Sequence, residues 1–191
     1  MAREKVISRV LGELAATRYD DWLEGGPVPV PYFDGTPLGV TVTGYLPEED
    51  PTFLSEADDA LEAFLRLGAA QREAASELVM AYCQEVIDCI GDNEDWAGEV
   101  ARMTEARQIW SLVKPRSLEV GRRPYKDKAV YLQISCNCEW EPEHGLQLVY
   151  RKGYQLVRVS PEDGHLTTAD AYAKPDEQDP LLWAALSLEK A

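Results

Sequence analysis

The sequence predicts an α+β domain, and three patterns carry that expectation. Residues 129–160 alternate apolar and polar side chains at a period of two. Residues 28–42 hold a hairpin signature, and residues 55–90 carry two apolar stripes at helical spacing. The sheet is expected to be mainly antiparallel, with a three-stranded meander at about 129–160 packed against amphipathic helices at about 55–67 and 69–90, all within a single domain over 1–191.

The first 25 residues are ambiguous. Val6, Val10 and Leu14 fit helical spacing, whereas Gly12 and the Tyr19-Asp20-Asp21-Trp22 segment suggest short strands and turns. Beyond them, Val28, Val30 and Tyr32 alternate with prolines, and Leu38, Val40 and Val42 alternate with small residues. Between these runs, Asp34-Gly35 supplies the positive-φ pair of a turn. Pro27, Pro29 and Pro31 lack N–H donors, which places that first strand at a sheet edge.

Ser55 followed by Asp58 resembles a capping box, and Ala57, Leu61, Phe64 and Leu65 form a stripe ending at Gly68. A second helix carries Leu78, Val79, Tyr82, Val86 and Ile90, with Gly91 as its left-handed cap and Cys83 as a small core residue beside the stripe. Residues 91–99 read as a polar loop and 99–112 as a short helix closed by Pro115.

The strongest signal is the run Val130, Leu132, Ile134, Cys136, Cys138 and Trp140, one apolar face of a long strand. The Glu-Pro-Glu-His-Gly turn follows, then Leu146, Leu148 and Tyr150, a tight Lys152-Gly153 turn, and a third alternating strand to Ser160. Matching faces predicts Trp140 opposite Leu146, Cys138 opposite Leu148 and Cys136 opposite Tyr150. In the next pair Arg151 faces Tyr154, and Leu148 faces Val157. Val149 and Leu156 then point to the other face, which needs partial cover of its own. Residues 174–180 read as a linker into a docked terminal helix at 181–186.

The chain has 191 residues with 34 acidic and 19 basic side chains, a formal charge of −15. Residues 1–100 hold 6 basic and 21 acidic side chains and thus all of that charge, while residues 101–191 hold 13 of each. This opposes binding to phosphate backbones, so no nucleic-acid partner is expected. The basic cluster Lys114, Arg116, Arg122, Arg123, Lys126 and Lys128 reads as a match to the protein's own acidic helices or as a solvated face. The longest uncharged run, 35–47, is 13 residues broken by Gly and Pro, so no membrane partner is expected either. With no apolar signal stretch, the expected location is cytoplasmic and the four cysteines are expected to be free thiols. Cys136 and Cys138, two apart on a strand, read as core residues rather than metal ligands.

Glu141, Glu143 and His144 lie in the turn after the first meander strand, and Asp163 and His165 lie beyond the third, which places both histidines of the chain at one end of the sheet. Imidazole and carboxylate together could hold a divalent ion or form a base and its orienting group. The competing reading is two structural turns whose carboxylates bond nearby N–H groups. No residue reads as an activated nucleophile and no cofactor is implied.

The block Trp140-Glu141-Pro142-Glu143-His144-Gly145-Leu146, followed by Asp163-Gly164-His165-Leu166-Thr167, resembles a family of uncharacterised bacterial proteins sharing Trp-Glu-x-Glu-His-Gly-Leu and Asp-Gly-His-Leu-Thr. Tyr32-Phe33-Asp34-Gly35 and residues 63–68 extend the resemblance. It implies no activity. Two functions are expected from the residues themselves. The first is non-enzymatic binding of a basic protein partner, such as a toxin to be neutralised, through the acidic half. The second is a small metal- or ligand-binding, even hydrolytic, site at Glu141, Glu143, His144, Asp163 and His165. The oligomeric state is open.

Overall fold

The computed structural model of the chain describes residues 5–91 and 95–189. Eight strands form one sheet in chain order: β1 (Val6–Ser8), β2 (Gly12–Ala16), β3 (Leu23–Val30), β4 (Thr36–Thr43), β5 (Val113–Arg122), β6 (Val130–Cys138), β7 (Leu146–Arg151) and β8 (Gln155–Ser160). Neighbouring strands are antiparallel except β4 and β5, which are parallel. A parallel pair needs a crossover, and the chain between them supplies it as four helices: α1 (Phe53–Leu65), α2 (Ala69–Ala74), α3 (Ser76–Ile90) and α4 (Asp95–Val100). Two more, α5 (Thr168–Ala171) and α6 (Pro180–Leu188), follow β8. The architecture is α+β, as the sequence predicts.

Local chemistry explains where the boundaries depart from expectation. The first helix starts at Phe53, so Ser55 lies inside it and does not cap it. Asp58 instead accepts from the Ser8 hydroxyl and the Arg9 backbone N–H, tying α1 to the β1–β2 turn. The second helical stretch breaks at Ala75 into α2 and α3. Arg72 is anchored back to Asp34 and the Tyr32 carbonyl, while Ser76 accepts from the Trp110 indole. The expected loop at 91–99 is helical from Asp95, and its residues 92–94 lie outside the described residues. The 99–112 stretch is α4's end followed by a 3-10 turn at Ala106–Leu112.

The hairpin is formed by β3 and β4. Its proline strand is interior in the sheet order rather than at an edge. However, β2 pairs only with Leu23 and Glu24, so Pro27 and Pro29 need no donor on that side. Register in the meander differs from the face-matching expectation by four residues: Cys136, Ile134 and Leu132 lie opposite Leu146, Leu148 and Tyr150. Cys138 pairs instead with Val113 of β5, and the Glu139 N–H donates to the Leu112 carbonyl at 3.2 Å, so β6 leaves β7 before Trp140. An even shift keeps every side chain on its expected face. Between β7 and β8 a bulge at Val149/Tyr150 puts Val157 on the face of Val149 and leaves Leu156 opposite Tyr150, reversing both expectations for β8.

One face of the sheet carries Leu132, Ile134, Cys136, Leu146, Leu148 and Tyr150 against Leu61, Phe64, Val79 and Cys83. Trp140 is buried there and meets Tyr82 edge-on at 6.0 Å. Burial pushes the Cys83 thiol up to about 11 and the Cys138 thiol up to about 12, as expected for core cysteines. The other face carries Tyr131, Val149 and Val157, covered by Ala169, Leu182 and Ala185. The expected linker at 174–180 is thus an ordered connection, and the Asp179 carboxylate caps α6 by accepting from the Leu182 N–H. Among the described residues no helix is long and apolar enough to cross a membrane.

Candidate functional site

The five residues singled out from the sequence fall into two local groups. In the turn after β6, His144 Nδ1 lies 3.3 Å from Glu141 Oε1, and Glu143 is exposed. Beyond β8, Asp163 receives both terminal nitrogens of Arg158, at 2.7 and 2.5 Å, and the His165 backbone N–H at 3.0 Å. Burial pushes the Asp163 carboxyl up, but the Arg158 pair and the His165 N–H outweigh it and hold the group below its ordinary value. The two turns share the sheet end that the topology dictates, since Gln147 at the start of β7 donates to Ser160, Asp163 and the His165 carbonyl. Among the described residues no hydrogen bond or ion pair joins the Glu141–His144 pair to Asp163 or His165. No group of three or more metal-capable His, Cys, Asp or Glu side chains occurs there either. Asp163 is spent on Arg158, a partner the sequence reading did not assign.

Four of the six residues of the basic cluster are paired internally. Arg122 pairs with Asp50 at 2.6 Å and Glu56 at 3.0 Å, which answers the expected match to the acidic helices. Arg116 pairs with Glu162. Arg123 and Lys126 pair with Asp170 and Asp176, carboxylates from the C-terminal segment that a reading of charge by halves does not reveal.

The acidic half offers a concave surface at the other end of the molecule. A groove of about 860 Å³ lies between the β1–β2 hairpin and the segment after β4. Its apolar lining includes Val6, Leu14, Leu23 and Leu54, and among the described residues Glu13, Glu48 and Glu49 add acidic groups and Lys5 a cation. Lys5 is itself paired with Glu13 at 2.9 Å. Leu14 and Leu23 are buried and Leu46 is exposed, so the groove passes from core to surface. β1 stands at the end of the strand order, with the backbone edge away from β2 unpaired among the described residues. The signal for this site was the Pro47-Glu48-Glu49-Asp50-Pro51 run, an acidic turn flanked by prolines.

The chain matches the family model described as Domain of unknown function (DUF6985) over residues 10–166. It belongs to that family. The matched span holds β2 to β8, α1 to α4 and both histidine-bearing turns, whereas β1, α5 and α6 lie outside it. No curated protein and no solved structure matches the chain.

Proposed function

We propose that this protein is a non-enzymatic binding module whose acidic groove at the β1–β2 edge takes an extended, basic segment of a partner protein. The observation that supports the reading most is the groove itself: an apolar floor of Leu14, Leu23 and Leu54, with Glu13, Glu48 and Glu49 and one lysine, Lys5, among the described residues that line it. An edge strand beside such a groove suits strand addition, in which main-chain hydrogen bonds give affinity and alternate side chains enter the apolar floor. The −15 charge steers a cationic partner toward it, and a basic toxin polypeptide is a partner of that kind.

The test uses two labelled synthetic peptides, one alternating lysine with valine and one alternating glutamate with valine, followed by fluorescence anisotropy. The lysine peptide is expected to bind and to weaken as salt is added. The double charge reversal Glu48→Lys/Glu49→Lys is expected to weaken it about tenfold, equivalent to about 1.4 kcal/mol. Equal binding of the acidic peptide, or an affinity unmoved by the reversal, overturns the reading.

A further inference from the structure

On the sheet face away from α1 and α3, a second cleft of about 470 Å³ lies between β4, β5 and β6 and the loop at 161–166. Trp22, Thr43, Glu119, Gln133, Glu162 and Leu166 line it. Glu119 and Gln133 are register partners across β5 and β6, so their side chains stand next to each other on this face. Gly121 follows at the next same-face position, where an added Cβ would lie 2.5 Å from Thr43 Oγ1; its bare backbone leaves the cleft open.

The polar groups here are under-used. Gln133 is only 7% exposed, yet its amide has no hydrogen-bonding partner among the described residues. Its amide atoms are not sealed off but open onto the cleft. Glu119 receives only the Thr43 hydroxyl, at a long 3.4 Å, and no cation among the described residues pairs with it. Burial, and then the charge of Glu162, push its carboxyl above the ordinary glutamate value. Arg122 reaches this cleft, but its guanidinium is committed to Asp50 and Glu56, and Arg116 is committed to Glu162.

We propose that this cleft binds a small organic cation bearing a primary ammonium group. An ammonium carries three N–H donors, and Glu119 and the Gln133 carbonyl present acceptors in this space, beside Glu162, whose charge Arg116 already shares. The Trp22 ring adds an aromatic wall suited to a cation. A divalent metal fits less well, because among the described residues no group of three metal-capable side chains exists. The site lies on a different face from the acidic groove, so it stands or falls independently of the peptide-binding reading.

Calorimetric and NMR titration of the full chain with butane-1,4-diamine tests it, with butane-1,4-diol as the neutral counterpart and magnesium as the metal control. The diamine is expected to bind and to shift resonances of Gln133 and Trp22, while the diol and magnesium do not. Glu119→Gln is expected to weaken the diamine at least about tenfold while keeping or raising the melting temperature, since it removes a half-buried acid that no cation among the described residues pairs with. Gln133→Leu is expected to weaken it as well. Absence of diamine binding, equal binding of the diol or of magnesium alone, or full affinity in Glu119→Gln overturns the proposal.

Discussion

On one side of the sheet, Leu132, Ile134, Leu148 and Tyr150 meet the apolar stripes of α1 and α3; on the other, α5 and α6 cover a smaller apolar patch framed by three nearly enclosed arginines. Arg123 is held by Asp170 and Asp176, Arg151 by Asp127 and Glu189, and Arg158 by Asp163. The first side is closed by non-directional burial, to which pH and salt matter little. The second is closed by charge pairs whose geometry and ionisation both matter. Most of the carboxylates that close it come from segments after β8, beyond the residues matched by the family model. The matched span thus contains α1 and α3 whole, whereas α5 and α6, which help close the charged face, lie outside it.

The largest expected effect breaks the helical face at its tightest point. Gly153, in the β7–β8 turn, has φ +77, and an added Cβ would sit 1.8 Å from the Ala60 carbonyl oxygen of α1. Alanine there is strained by its backbone and collides with a helix carbonyl that cannot retreat without moving α1. Gly153→Ala is expected to lower stability by about 3 kcal/mol or more in urea unfolding. A loss below about 1 kcal/mol would show that α1 is less firmly seated on the sheet than the apolar packing implies.

The same contrast explains which parts of the structure were legible in the sequence. Apolar periodicity names the face that packs on α1 and α3, because burial of a stripe depends on residue type and spacing alone. That is why the faces of β6 and β7 follow from the sequence even though their register is four residues away from the expected pairing. Charge pairing has no such period. Arg123 and Asp170 are 47 residues apart, and Arg151 and Glu189 are 38 apart, so nothing local announces them. β5 was hidden for a related reason. Its run mixes Lys114, Pro115, Arg116 and Glu119 into a strand whose pairing to β4 crosses four helices. At the histidine turns, the sequence identified the shared sheet end but not Arg158, which claims Asp163. The Glu119–Gln133 neighbourhood needed the β5–β6 register before it could be seen at all.

Removing one arginine from the charged face should cost less than Gly153→Ala and act more locally. Arg151 is 4% exposed and joins Asp127 at 2.7 Å to Glu189 at 2.7 Å, with Gln155 completing its contacts. Arg151→Met keeps the aliphatic volume but leaves Asp127 with only the more distant Arg123 at 3.7 Å and Glu189 with only Lys152 at 2.6 Å. The expected loss is about 3 kcal/mol, the low end for breaking a buried ion pair, because Glu189 retains solvent access. Hydrogen exchange should localise the change to α6 and the β7–β8 turn, leaving α1 and α3 protected. Uniform loss of protection across both faces would mean that the two sides of the sheet unfold as one unit.

Acid offers the mildest way to separate the faces. Burial pushes the Asp170 carboxyl up, but bonds from Arg123, Thr167 and Lys126 prevail and lower it to about 2. Glu189 is lowered to about 2 by its bonds to Arg151 and then Lys152. Both folded values lie below the ordinary ones of 3.8 and 4.5, so their contribution is complete above about pH 4.5 and disappears as the pH falls toward 2. Over that window α6 and the segment holding Asp170 are expected to loosen while the apolar face stays closed. Brief proteolysis at pH 4.5 and at pH 2.5 with an acid-active protease reads this directly. The lower pH should release fragments cut within 168–188, from a body that keeps its α1 and α3 protection. Cleavage inside α1 or α3 at the same rate would show that the carboxylate pairs support the whole sheet rather than its C-terminal cover.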